Sequence, residues 1–162
     1  MMKFIQTFSI LWVSLFILLG CAPKQYTINE SCLIVIKTPK LKYADLGYLR
    51  RNADEVRADL FVAGQLVQSI EISTLVCVED GCLSKSEFNK DYLHPSYPDD
   101  LILDVLLSRP IFEKASLQKT EGGFIQNIKS DEYNIIYKVE YGKTYFKDKK
   151  NRFLIKISKT KG

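Results

Sequence analysis

Along most of this chain apolar and polar residues alternate, and alternation at period two predicts strands. Cys32-Leu33-Ile34-Val35-Ile36 is apolar on both faces, as a buried strand would be. Leu41 to Arg50 reads as a second, less regular strand carrying Tyr43, Leu46, Tyr48 and Leu49. From Glu55 to Val62 the alternation is clean: Val56, Ala58, Leu60 and Val62 face one way, Glu55, Arg57 and Asp59 the other. Ala63-Gly64-Gln65 is a turn. Leu66 to Ser73 returns with Leu66, Ile70 and Ile72 on one face, and Thr74 to Val78 is a further short strand.

The period then changes. Ser84-Lys85-Ser86-Glu87 is a capping box that starts a short helix to about Leu93, with Phe88 and Tyr92 paired one turn apart. Pro95 ends it. Ser96, Pro98, Asp99 and Asp100 start a second helix, with carboxylates at the positive end of its dipole. Leu101, Ile102, Leu103, Val105, Leu106 and Leu107 make that helix apolar around its circumference, so it is buried on most sides or covers an apolar cavity. Strands resume after Pro110: Ala115 to Thr120, then Phe124, Gln126 and Ile128 on one face. Tyr133, Ile135, Tyr137, Val139 and Tyr141 share another, Thr144 to Lys147 returns after Gly142-Lys143, and Phe153, Ile155 and Ile157 close the series. Strands, two helices, then strands with short connections predict an α+β domain. Helices inserted mid-sequence are expected to pack on one face of the mostly antiparallel sheet.

The first twenty-one residues follow a different rule. Lys3 gives a positive start, and Phe4 to Leu19 is an apolar run broken only by Gln6, Thr7, Ser9 and Ser14. Small Gly20 precedes Cys21. This is the layout of a signal peptide, and the run is shorter than the ~20 residues a spanning helix needs. Leu18-Leu19-Gly20-Cys21 resembles the lipobox of bacterial lipoproteins. That resemblance implies cleavage before Cys21, a diacylglycerol on its thiol and an acylated amine. Residues 1–20 are then a signal peptide, 21–30 a lipidated tether and 31–162 a single domain. Ala22 after the cysteine resembles the default for outer-membrane delivery in Gram-negative lipoproteins, so the expected location is the cell envelope, lipid-anchored and facing the periplasm.

Removing residues 1–20 leaves 142, enough for one domain with its own core, carrying 22 basic and 19 acidic residues. So mild a balance argues neither for nucleic acid nor for disorder, and no nucleic-acid partner is expected. The distribution is uneven, however: from Lys138 to Gly162 there are nine basic residues and two acidic ones. That stretch reads as a solvated hairpin tip and tail, or as attraction to anionic lipid or a partner's acidic face. An exported chain meets oxidising conditions. Cys77 and Cys82 bracket an Asp-Gly turn and suit a disulfide, with Cys32 free and buried, although Cys32 could displace one member. A zinc site needs about four ligands, which a CxxxxC pair and His94 supply poorly.

No catalytic pattern stands out. His94 is the sole histidine, the chain has no nucleophile elbow or phosphate-binding glycine loop, and Asp99-Asp100 suits a helix start better than acid–base work. The tyrosine row from Tyr133 to Tyr145 reads as core rather than as a stacking platform. The expectation is therefore a protein without enzymatic activity or cofactor.

Asp54 to Ser73, with its strand, Ala63-Gly64-Gln65 turn and strand, and Tyr97 to Phe112, with Pro-Asp-Asp, the Leu-rich helix and Arg109-Pro110-Ile111-Phe112, together resemble the LolA/LolB-like superfamily of lipoprotein carriers. The resemblance extends over Leu41 to Ser158 and rests on element order. It implies that the mostly antiparallel sheet forms an incomplete (half) barrel, with the two short helices inserted mid-sequence and packed in its mouth, around an apolar cavity that holds acyl chains or lipoprotein anchors without covalent chemistry. The cavity-facing residues expected here are Leu60, Val62, Ile70, Ile72, Leu103, Leu107, Tyr137 and Val139, and a cavity of ~300 Å³ or more is required. LolB-like members carry an exposed hydrophobic residue on a hairpin loop that aids membrane insertion, and Leu66, beside the Gly64 turn, is the nearby candidate for it here. The cysteine loop departs from the family pattern. The alternative expectation is a lipid-tethered interaction or structural module whose outer surface recognises another envelope protein. A closed core and an exposed apolar patch would favour that alternative.

Overall fold

A computed structural model of the chain describes residues 24–160. The expected signal peptide, Cys21 and the first residues of the expected tether lie outside the described residues. Eleven strands form one antiparallel sheet: β1 (Ile28–Lys37), β2 (Lys42–Arg51), β3 (Val56–Val62), β4 (Gln65–Ile72), β5 (Leu75–Val78), β6 (Gly81–Ser84), β7 (Leu117–Thr120), β8 (Gly123–Lys129), β9 (Asn134–Glu140), β10 (Lys143–Asp148) and β11 (Phe153–Lys159). Two helices, α1 (Lys85–Tyr92) and α2 (Leu101–Leu106), and a single 3-10 turn (Phe112–Lys114) interrupt the strands midway. The strand order is β6-β5-β4-β3-β2-β1-β11-β10-β9-β8-β7, so the chain builds outward from a centre where β1 pairs with β11. The sheet does not close on itself, and its two edge strands are only four residues long, which limits the unpaired backbone they present.

One face of the sheet carries the core. Cys32, Ile34 and Ile36 of β1 join Leu49 of β2, Val56, Ala58 and Leu60 of β3, and Ile155 and Ile157 of β11 in one buried cluster with the helices. Adjacent strands lie ~4.8 Å apart, so β5 and β11 would be roughly 24 Å apart in a flat sheet. Yet Val78 of β5 and Phe153 of β11 line the same small gap beneath the helices. The sheet therefore curls around α1 and α2.

The sequence pattern is obeyed with three exceptions, of which the first is β1: it is apolar on both faces but buried on one, since Leu33 is 45 % exposed. Pairing of β3 with β4 steps from Leu60↔Gln68 to Phe61↔Leu66, which skips Val67. This bulge turns Leu66 away from the face of Ile70 and Ile72, where strict alternation had placed it. Tyr141 does not continue the face of Tyr137 and Val139. It has φ 50° and forms a two-residue turn with Gly142 (φ 72°), leaving it 73 % exposed. The β3–β4 turn repeats the device at Ala63 (φ 50°) and Gly64 (φ 81°). The cysteine segment is a hairpin rather than a loop: Cys77 and Cys82 are cross-strand partners and are disulfide-bonded. Cys32 is free and buried.

Two buried polar side chains fix the rest. The capping box at Ser84 and Glu87 starts α1 as expected. Asp148, fully buried, accepts through Oδ1 from the backbone N–H of Asn134, Lys150 and Asn151, and through Oδ2 from the Tyr97 hydroxyl (2.6 Å) and the Asn151 amide. It thus joins the inter-helix segment to the turns on either side of β9 and β10. Gln126, also fully buried, accepts from Ile111 N–H at 2.8 Å and donates to the Ile111 and Ala115 carbonyls. It holds a segment in which Phe112, Glu113, Lys114 and Ser116 all have left-handed φ, a conformation costly for side chains with a Cβ.

Burial alone would raise the Asp148 carboxyl, but its five donors outweigh this and hold it below the ordinary value of 3.8. A lowered acid stabilises the fold above that ordinary value and loses this contribution as pH falls through its folded value. Asp148→Ala is expected to lower the unfolding free energy at pH 7 by about 3 kcal/mol, because it strands several buried donors. Urea denaturation checks this, and the acid-side loss of stability should be smaller in the variant than in the wild type. Cys77→Ser/Cys82→Ser closes no loop and is expected to cost about 2 kcal/mol, read by the same titration.

Candidate functional site

The place where an acyl chain was expected is the seam between the sheet and the two helices. Ile102 and Leu106, one turn apart on α2, point into it together with Phe88 and Tyr92 of α1, whose rings stack at 4.8 Å. Ile36, Ala58, Ile70 and Phe153 close it from the sheet, and Leu41 from the connection between β1 and β2. The seam is lined almost wholly by apolar groups, and its volume is about 30 Å³. That is room for one water molecule and a tenth of the smallest usual ligand pocket.

Of the eight residues expected to face a cavity, Ile70 lines the seam. Leu60, Ile72 and Tyr137 are fully buried in the packed core. Leu107 and Val139 are partly buried and pack against its margin. Leu103 is buried, but it lines the other side of α2, a polar groove with Asp54, Lys85, Asp104 and Arg109. The helix presents Ile102 and Leu106 to the seam in place of Leu103 and Leu107, a rotation of one position about its axis. Val62 is a correction: it ends β3 beside the turn and is 48 % exposed, so it lines no cavity. Leu66 is 49 % exposed on the opposite face of the sheet. The helical pairs Phe88–Tyr92 and Ile102–Leu106 were the sequence signal for the seam. Ile36, Leu41 and Ala58 left none that distinguishes seam from core.

The polar groups near the seam are structural. Burial, with the hydrogen bond to Asp148 adding, pushes the Tyr97 hydroxyl far above its ordinary range. The Tyr137 hydroxyl is raised chiefly by burial, and no partner meets it among the described residues. In the groove beyond α2, burial and then Asp100 raise the Asp104 carboxyl against the pull of Arg109 and Lys85. The His94 ring nitrogen Nδ1 sits 2.6 Å from Ser96 Oγ and closes a turn between the helices. Among the described residues no three His, Cys, Asp or Glu side chains are placed to hold a metal ion, and no helix is long and apolar enough to cross a membrane.

Besides the groove with Leu103 and Asp104, of about 380 Å³, two concavities lie on the face turned away from the helices. One, of about 600 Å³, is formed by Lys24, Gln25, Tyr26 and Asn29 with Arg50, Arg57 and Glu71. Another, of about 390 Å³, lies among Ser31, Leu46, Tyr48 and Phe61. Leu33 pairs across strands with Leu46, Phe61 pairs with Leu66, and Tyr48 meets Phe61 edge-on at 5.6 Å. Leu33, Leu46, Tyr48 and Leu66 are each close to half exposed, so four adjacent strands carry an apolar strip on this outer face. Comparison with protein-family models, with curated proteins and with solved structures gave no match.

These placements separate seam from margin energetically. Ile102→Ala is expected to destabilise by about 3 kcal/mol, whereas Val62→Ala should cost about 0.5 kcal/mol or less. Thermal or urea unfolding of the two variants measures the contrast.

Proposed function

We propose that this protein is a lipid-anchored module of the bacterial cell envelope, acylated at Cys21, whose half-barrel sheet has its mouth filled by the two helices and which acts through its outer face on another envelope component. The observation that carries this reading is volumetric. The interior gap is about 30 Å³ while apolar side chains stand exposed on the outside, the reverse of what a small-molecule carrier presents. The lipobox at Leu18–Cys21 supports the anchor, and Ala22 supports delivery to the outer membrane. The anchor sets the working distance: dual acylation holds a chain stably at a bilayer, so a partner need bind only weakly to be engaged. The reading assigns the protein no catalytic chemistry and no cofactor.

A second reading keeps the carrier function. It is favoured by the apolar lining of the seam, which sits between sheet and helices as in the LolA/LolB-like proteins that the element order resembles. It requires α1 and α2 to swing outward before an acyl chain enters, against the ties at Tyr97–Asp148 and Arg109–Asp54.

Native mass spectrometry of the unacylated chain from Ala22 onward, incubated with a detergent-solubilised triacylated lipopeptide, separates the two. The surface module is expected to remain a ligand-free species. Retention of one lipopeptide, abolished by Ile70→Glu in a chain whose circular dichroism is unchanged, would establish the carrier instead.

A further inference from the structure

The strand register gathers lysines that the sequence scatters. Alternation along each strand puts Lys37, Lys42, Lys138, Lys143, Lys147 and Lys156 on the outer face, opposite the buried Ile36, Tyr43, Tyr137, Thr144, Phe146 and Ile155. Cross-strand pairing then aligns them. Lys42 faces Lys37, which faces Leu154, which faces Lys147. In the next row Lys156 faces Tyr145, which faces Lys138, and in the third Lys143 faces Ser158 and Glu140. Five adjacent strands span roughly 19 Å and three alternate rows roughly 14 Å. All six lysines in this field are exposed, none is in an ion pair among the described residues, and Glu140 is the one carboxylate in the three rows. Like charges directly opposite, as at Lys37 and Lys42, destabilise a sheet unless something neutralises them. The apolar strip through Leu33 and Leu46 continues the third row on its far side.

The N-terminal segment reaches the same face. Lys24 binds Glu71 at 2.6 Å and Glu55 at 3.4 Å, and residues 24–26 lie in the groove with Arg50, Arg57 and Glu71, all outer-face residues. Cys21 is three residues before Lys24, so chain geometry keeps a lipid there within about 11 Å of this face. An anchor so short turns the face toward the leaflet that holds it.

We infer that the outer face of the sheet is a docking surface for an anionic bilayer, with the six lysines meeting lipid phosphates and Leu33, Leu46 and Leu66 entering the headgroup boundary. The inference rests on the lipid-anchored surface module proposed above and names its partner. Lysines beside such a surface add attraction cumulatively, and salt screens it. The opposite face, with α1 and α2, is left to the aqueous side.

Co-sedimentation of the unacylated chain from Ala22 onward, which contains the whole buried core described above, tests this with vesicles of phosphatidylglycerol and phosphatidylcholine (1:1) against phosphatidylcholine alone. Binding to the anionic vesicles should exceed that to neutral ones by at least about tenfold at low salt and weaken as salt is raised. Lys138→Glu/Lys147→Glu/Lys156→Glu should remove that preference. Lys90→Glu/Lys114→Glu/Lys119→Glu, an equal charge change off this face, should retain most of it. Equal binding to both vesicle types, or equal loss in both triple variants, overturns the proposal. So does a photo-cross-linker at Tyr145 of the full-length protein in cells that captures a protein and no lipid. The intact mass of the membrane-extracted protein keeps the two readings apart: no acyl mass on Cys21 removes the anchor, while the vesicle result judges the face.

Discussion

One constraint organises this molecule: a single sheet has two faces, and two helices of eight and six residues are too little to cover one of them. Burying the inner face of eleven strands under so small an insert is possible only because the sheet curls until its strands cover one another. That curl brings Val78 and Phe153 to one gap and packs Tyr137, Phe146 and Phe153 into a continuous aromatic layer. Each ring buried there removes apolar surface from water at roughly 25 cal/mol per Å². The filled seam follows from the same geometry, since any wider opening would leave apolar surface that neither helix reaches.

The polar interior keeps the curl in register. Asp148 and Gln126 are acceptor and donor hubs at the two places where the helical insert meets the later strands. Each satisfies backbone groups that irregular chain would otherwise leave buried and unpaired. Their effect is positional more than adhesive: they decide where the segment from Tyr97 to Ser116 rests on the sheet, and hence that Ile102 and Leu106 are the seam residues. The outer face has its own hub, Asp59, which is buried among Arg50, Arg57 and Ser69. Arg50 and Arg57 of this network also line the groove in which residues 24–26 lie.

Much of this was legible in the chain. Period-two alternation located ten of the strands to within a few residues, and the Ser84–Glu87 box and Pro95 bracketed α1. The Cys77–Cys82 pair was readable because an Asp-Gly turn sets cross-strand neighbours opposite one another. What was not legible depends on pairing rather than on local pattern. The skipped Val67 turns Leu66 to the other face, and nothing in Leu66-Val67-Gln68 announces it. Tyr141 fits the strand alternation but is taken by the turn, because the Gly142 hairpin needs two left-handed residues. Strand β6, Gly81-Cys82-Leu83-Ser84, was hidden because it is wedged between the Asp-Gly turn and the capping box and shows no alternation of its own. Gln126 looked like one more face residue until the segment it caps was in place. The lysines were counted in the sequence, but their convergence on three rows depends on which strands are neighbours. The volume between sheet and helices is a sum over many side chains that no single position reports.

The central pairing of β1 with β11 has a consequence for how the molecule comes into being. Ser31 and Thr160 are hydrogen-bonded across 129 residues, and the strands they flank form the middle of the sheet rather than its rim. A chain made from its N-terminus can complete the β1–β2–β3–β4 meander early, but one side of β1 stays unpaired until the last strand has emerged. Folding is thereby committed to a late, long-range step of the kind that slows β-rich domains. Throughout that interval the edge of β1, with Leu33 and Val35, is open to any strand that offers itself. For this fold the vulnerable period is the wait for residues 153–159, and a chaperone that shields the first strand would matter most then.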